Sequence, residues 1–468
     1  MAYQSINPYN EEVLKTYEDI SDAALESAVV RAERAYESAW SRETIEFRAA
    51  VLMRAANLMR DRSATLARLI SLEMGKLINE SLGEVALSAD ILEYYAVQGP
   101  KMLAAQELVL EEGEAAVESE PLGVLICVEP WNFPYYQLAR VAGPSLVLGN
   151  VMLVKHASNV PQCAEAFERV LLDAGAPDGV YTNLFATKQQ ISRLIADPRI
   201  KAVALTGSEA AGAVVAAQAG KALKKSTMEL GGSDAFIVLE DADLDRAVSW
   251  AVWGRMNNTG QCCIAAKRFI VLDQVADEFL SRFKSSLELL TVGDPLDPST
   301  TLGPLSSEAA VQELVKQVET AVAHGAKRVI GGRRIHRQGA FVEAGILTDI
   351  APDNPAFHQE FFGPVAMFFR VKDEKAAIDL ANDSPYGLGG SVFTQDIERG
   401  KRVARQVSTG MVFINQATWT APNLPFGGIK NSGYGRELAE LGMQEFVNKK
   451  LIRVSYSLPP AEFPVAVA

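Results

Sequence analysis

Cysteine is scarce in this chain. Four stand among 468 residues, Cys127, Cys163, Cys262 and Cys263, too few and too unevenly spaced for a secreted disulfide framework. Histidine is equally rare. His156, His324, His336 and His358 form no H-x-x-x-H pair, and there is no C-x-x-C, so no metal site is expected. No apolar run approaches the ~20 residues that span a bilayer. The opening MAYQSINPYNEEVL lacks a basic-then-apolar leader. These absences point to a reducing cytoplasm. Positive charge is in short supply too: 45 Lys and Arg against 58 Asp and Glu leave −13. Neither nucleic acid nor an anionic membrane is therefore expected as a partner.

What is present suits a soluble enzyme, with 48% hydrophobic and 22% charged residues. The length exceeds one ordinary core and implies two or three domains. Residues 21–96 carry apolar residues at helical spacing, starting from a cap at Ser21 or Asp22. After residue 105, "LVLEEGEAAVESEP" alternates like an extended ribbon. Residues 122–240 then alternate short apolar strands ("GVLICVE", "VMLVKH", "YTNLFA", "KAVALTG") with helices, the pattern of a parallel sheet with helical crossovers. A second set follows, with "AFIVLE", "KRFIVLD" and "MFFRV" as strands.

Five short stretches carry chemistry. "AVALTGSEAAG" runs strand, Gly207-Ser208, helix, and offers a helix N-terminus to a phosphate. Its G-x-x-x-x-G spacing is not the dinucleotide fingerprint. Lys155 leaves the end of a parallel strand, where such sheets bind ligands. Glu229 in "MELGG" sits in apolar surroundings that would raise its pKa toward general-base work. Asn132 in "EPWNFP" is a rigid amide donor suited to an oxyanion. "TGQCC" offers a thiol nucleophile. Adjacent residues point to opposite faces of a strand and diverge on a helix, so one of Cys262 and Cys263 is expected to be structural. The residues alone do not say which.

Together with "INPYNEEVL", "EFFGPV", "SPYGL", "LPFGGIKNSGYGRE" and "EFVNKKLIRV", these motifs stand in the order of the NAD(P)-dependent aldehyde dehydrogenases. The chain resembles that family over nearly its whole length. The resemblance implies Cys263 as nucleophile, leaving Cys262 as the variable neighbour that faces away. It implies Glu229 as general base and Asn132, with the Cys263 N–H, as oxyanion donor. Trp131, Lys155, Ser158, Gly207, Ser208, Glu360 and Phe362 would bind the coenzyme. An aldehyde would be oxidised to the acid through a thiohemiacetal and a thioester, without metal. Ser158 stands where an acid would repel a 2′-phosphate, so NAD or NADP is expected, with the preference open.

Arg140 in "WNFPYYQLAR" matches the arginine of succinate-semialdehyde dehydrogenases that holds the substrate's far carboxylate. The second arginine of some such enzymes is Asn257 here, with Arg255 as a possible substitute. Tyr136 would line the pocket. The alternatives are a broad-specificity aliphatic or aromatic aldehyde dehydrogenase, and a catalytically silent structural or binding homologue. Ala265 stands where a redox-switched form has a cysteine, so no switch disulfide is expected. The family fold implied is α/β. It has a Rossmann-type coenzyme domain (1–102 and 122–231) and an α/β catalytic domain (232–446). A small β ribbon and tail (103–121 and 447–468) would join subunits into a homodimer or homotetramer.

Overall fold

The computed structural model describes residues 3–457. The first of its two large sheets runs in the order Gly433–Tyr434, Lys225–Glu229, Ile200–Thr206, Val124–Glu129, Val151–His156, Tyr181–Asn183. Its neighbours are parallel except at the short edge strand Gly433–Tyr434. Parallel strands covered by helices read as continuous apolar runs, not as alternation, and the segment Val124–Cys127 is buried on both faces.

The helix Tyr136–Leu148 is buried along its whole length, and its side chains are mostly apolar all round, as such a position requires. Gly149 closes it at φ +113°, a left-handed conformation that favours glycine. Ser21 caps the helix Asp22–Ser38 by accepting from the Ala24 N–H. The helical run expected to continue through residues 44–76 divides into Ile45–Asp61 and Ser63–Met74, because Arg62 steps out of helical backbone.

The second sheet orders Lys327–Ile330, Gly345–Thr348, Val365–Val371, Ala266–Leu272, Asp234–Val238, Gly390–Phe393 and Phe413–Ile414. Only its first pair is antiparallel. A third, antiparallel sheet pairs Val447–Val454 with Glu114–Pro121, and that strand with Gln106–Leu108. The expected C-terminal tail lies outside the described residues from 458 onward. No helix among the described residues is long and apolar enough to cross a membrane.

The loops that matter leave the ends of these strands. Trp131 and Asn132 follow Val124–Glu129, Lys155 is the penultimate residue of Val151–His156, and Ser208 follows Ile200–Thr206. Glu229 is the last residue of its own strand, and Cys263 lies just before Ala266–Leu272.

Candidate active site

Cys262 and Cys263 lie on neither a strand nor a helix. Residues 257–265 form a one-turn coil and a turn, with Asn258 and Thr259 both at φ +53°. That is costly for a β-branched residue. The strain is held from outside. Glu80 Oε1 accepts the Asn258 N–H at 3.0 Å, and Asn258 Nδ2 donates to the carbonyls of Asn132 (2.9 Å) and Gln261 (3.1 Å). Such over-determined strain gathers at functional sites.

The turn alters the expectation for Cys262. Both Cys262 and Cys263 line one cavity of about 400 Å³. A turn does not impose the divergence of a strand or helix, so Cys262 does not simply face away. The neighbouring Cys262 thiol, and then burial, push the Cys263 thiol well above its usual range, while Arg140 and Lys267 pull it back. Cys263 in turn draws the Cys262 thiol down.

Asn132 is buried beside this turn, and its Nδ2 donates to the Gln261 carbonyl at 3.0 Å. One amide N–H is thereby fixed, which orients the other. The loop that carries Asn132 is itself pinned. His156 Nε2 bonds the Pro134 carbonyl at 2.9 Å, while its Nδ1 accepts the Ala157 N–H at 2.9 Å. Burial pushes His156 down to about 4, in keeping with a neutral ring that donates once and accepts once.

Glu229 is buried, and neither carboxyl oxygen finds a hydrogen-bond partner. It stands off the cavity wall. Burial and then the Glu437 carboxylate push its pKa well up, against Arg140 and Arg436. Glu129 and Glu437 are also buried and raised, chiefly by desolvation. Three carboxyls thus surround one guanidinium. A carboxyl raised this way can take up a proton near neutral pH.

Arg140 reaches the cavity. Its Nε pairs with Glu437 at 2.5 Å, and Nη1 lies 3.3 Å from the Tyr136 hydroxyl. The guanidinium also stacks on the Tyr136 and Phe426 rings, 4.7 and 4.5 Å from their centroids. Tyr136 lines the same cavity and bonds Thr420 at 2.7 Å. Arg255 does not join them. Its fully buried guanidinium is spent on the carbonyls of Gly260 (2.6 Å) and Ala266 (3.1 Å), so it braces the turn and leaves the Asn257 position without an arginine.

On the coenzyme side, Lys155 is half-buried and its Nζ donates to the His156 carbonyl at 3.0 Å. Burial, with Lys188 nearby, lowers it to about 8. Ser158 is exposed and uncharged. Ser208 caps the helix Glu209–Lys221, and an added Cβ on Gly212 of that helix would strike Leu230, so Gly212 lets helix and strand approach. Glu360 Oε1 accepts the Gly232 N–H at 3.1 Å and pairs with Lys267 at 2.9 Å. Phe362 meets Trp131 edge to face at 5.8 Å.

Sequence reasoning missed several neighbours. Glu80 and Glu84 lie one helical turn apart on Ile78–Met102 and line the cavity. Burial pushes Glu80 up to about 7. Glu84 pairs with Lys76, both fully buried, and accepts the backbone N–H groups of Tyr135 and Tyr136. Trp253 and Trp419 form an aromatic wall, with centroids 5.1 Å apart. Glu129 and Lys267 were missed as well, although the lone acid ending the apolar strand "GVLICVE" and the lysine inside "AAKRFIVL" were visible signals.

The model of the aldehyde dehydrogenase family matches residues 1–452. A succinate-semialdehyde dehydrogenase [NADP(+)] of Deinococcus radiodurans is 51% identical over 466 residues, covering 100% of this chain and 97% of that protein. The succinate semialdehyde dehydrogenase [NAD(P)+] Sad of Escherichia coli is 43% identical, covering 95% of this chain and 96% of that one. Among solved structures, succinic semialdehyde dehydrogenase from Streptococcus pyogenes in complex with NADP+ aligns with a TM-score of 0.95 at 46% identity. That match covers 97% of this chain and 100% of that one.

Proposed function

The chain belongs to the aldehyde dehydrogenase family, and from that premise we propose that it oxidises succinate semialdehyde to the dicarboxylate with NAD or NADP, NADP being accepted readily. The observation that carries this reading is Arg140. It places a guanidinium on the wall of the cavity that Cys263 also lines. With Nε held by Glu437, the Nη1 edge beside the Tyr136 hydroxyl is left to meet the substrate's far carboxylate.

The Cys263 thiolate attacks the aldehyde carbon. Asn132 Nδ2 and the Cys263 N–H hold the oxyanion. The bound nicotinamide supplies the hydride acceptor. Glu229 takes the proton from the water that attacks the thioester, and Cys263 leaves as thiolate. Raised by burial and Glu437, Glu229 is basic enough for that task.

The residues present fit such a coenzyme. Lys155 and Ser158 would meet the adenosine ribose, where uncharged Ser158 tolerates a 2′-phosphate. Gly207 and Ser208 open the helix toward the pyrophosphate. Glu360 would meet the nicotinamide ribose, with Phe362 and Trp131 beside the ring. The exposed ribbon would join two or four copies. A second reading, a broad-specificity enzyme for aromatic or medium-chain aldehydes, draws on the cavity walls of Leu87, Phe133, Trp253, Trp419 and Phe426.

The test is a kcat/KM panel over succinate semialdehyde, hexanal and benzaldehyde with both coenzymes. The proposal expects succinate semialdehyde to lead by at least tenfold. Equal values across the panel would favour the second reading. Cys263→Ser should abolish coenzyme reduction.

A further inference from the structure

Lys267 is the second residue of the strand Ala266–Leu272, which is buried throughout. Its ammonium is fully buried and has three donor directions, all of them used. They go to the Cys262 carbonyl at 2.8 Å, the Cys263 carbonyl at 2.7 Å and Glu360 Oε1 at 2.9 Å. The mechanism above gives it no task.

The geometry of one peptide suggests one. A peptide unit is planar and trans, so its C=O and N–H point in opposite directions. The unit joining Cys262 to Cys263 carries the Cys262 carbonyl on one side and the Cys263 N–H on the other. Lys267 and the Ala265 N–H (3.2 Å) both hold that carbonyl. The direction of the Cys263 N–H is thereby fixed. A cation on the oxygen also draws charge through the amide and makes the N–H a stronger donor. Among the described residues that N–H has no protein acceptor. Asn132, across the turn, is oriented through the Gln261 carbonyl. Both oxyanion donors are thus aimed by carbonyl contacts within one turn.

We propose that Lys267 is a positioning residue that aims and polarises the Cys262–Cys263 peptide, so that the Cys263 N–H stabilises the oxyanion. The ion pair with Glu360 anchors the ammonium from the coenzyme side. This inference rests on the reading of Cys263 as nucleophile.

The test compares two reactions of Cys263 in the coenzyme-free protein, both followed by mass spectrometry. Acylation by p-nitrophenyl acetate passes through a tetrahedral oxyanion. The sulfur–carbon bond forms, the ester carbon–oxygen bond breaks, p-nitrophenolate leaves with the electron pair and the thiol proton goes to solvent. Alkylation by iodoacetamide forms a sulfur–carbon bond and expels iodide with no oxyanion. Removing an oxyanion donor costs roughly 10²–10³-fold, and here a donor is weakened. Lys267→Met should therefore slow acylation about tenfold more than alkylation. Lys267→Gln, which keeps hydrogen bonds without the charge, should fall between and serves if the methionine variant does not fold. Equal slowing of both reactions, or of neither, would overturn the proposal. A Cys263→Ala protein that still reduced coenzyme at the wild-type rate would instead remove the nucleophile reading, and this inference with it.

Discussion

The paired thiols show what a residue can and cannot announce. Cys263 was legible because its motif stands in family order with Asn132 and Glu229. Its relation to Cys262 was not, because that depends on a turn with two left-handed residues. No propensity rule places a threonine there. Since the Cys262 thiol is the largest influence raising Cys263, Cys262→Ala should let Cys263 ionise at lower pH. The midpoint of its iodoacetamide rate against pH should move down, with Arg140 and Lys267 unchanged as the cations nearby. An unmoved midpoint would contradict the influence of Cys262 on Cys263. Lys155 makes a second case. Lowered to about 8 by burial and Lys188, it is cationic below that pH and neutral above. NADP affinity should weaken as pH rises through about 8, and Lys155→Met should flatten that dependence in fluorescence titrations.

At the scale of elements, the acids of Ile78–Met102 do what local sequence could not. The helix Tyr136–Leu148 has no side-chain cap of its own. Glu84 supplies one from another helix by accepting from Tyr135 and Tyr136, satisfying donors that every helix start leaves open. A glutamate one turn after another on a helix reads as a solvated face until the helix is known to be buried, and for that reason this pair was missed. Glu84→Ala would leave Lys76 buried and unpaired, a loss of about 3–5 kcal/mol, measurable by urea unfolding. His156 acts on the next loop. Burial holds its folded pKa at about 4, below the ordinary histidine value of 6.5, so the unfolded chain takes up the proton first. Stability from this site is whole above pH 6.5 and declines as pH falls toward 4. His156→Gln should remove that part of the acid slope.

At the scale of the molecule, the alternation of strands and helices gave the parallel core, since covered parallel strands must be apolar on both faces. What brings the sites together is long-range: Glu360 reaches Gly232, and Glu437 reaches Arg140. No local pattern encodes such meetings. The ribbon leaves Leu451, Ile452 and Val454 exposed, and an exposed strand edge seeks a partner. On the proposal that this ribbon joins two or four copies, Leu451→Glu with Ile452→Lys should lower the mass seen by light scattering. Arg140 is the residue on which succinate semialdehyde recognition depends most in the proposed reaction. The direct measurement is kcat/KM of Arg140→Met for succinate semialdehyde and for hexanal, each relative to wild type. Both aldehydes share whatever is lost when Arg140 no longer pulls down Cys263 and Glu229, but losing a charged anchor worth roughly 1.5–3 kcal/mol should cost the semialdehyde about ten- to a hundredfold more than hexanal. Equal losses for the two aldehydes would contradict the account.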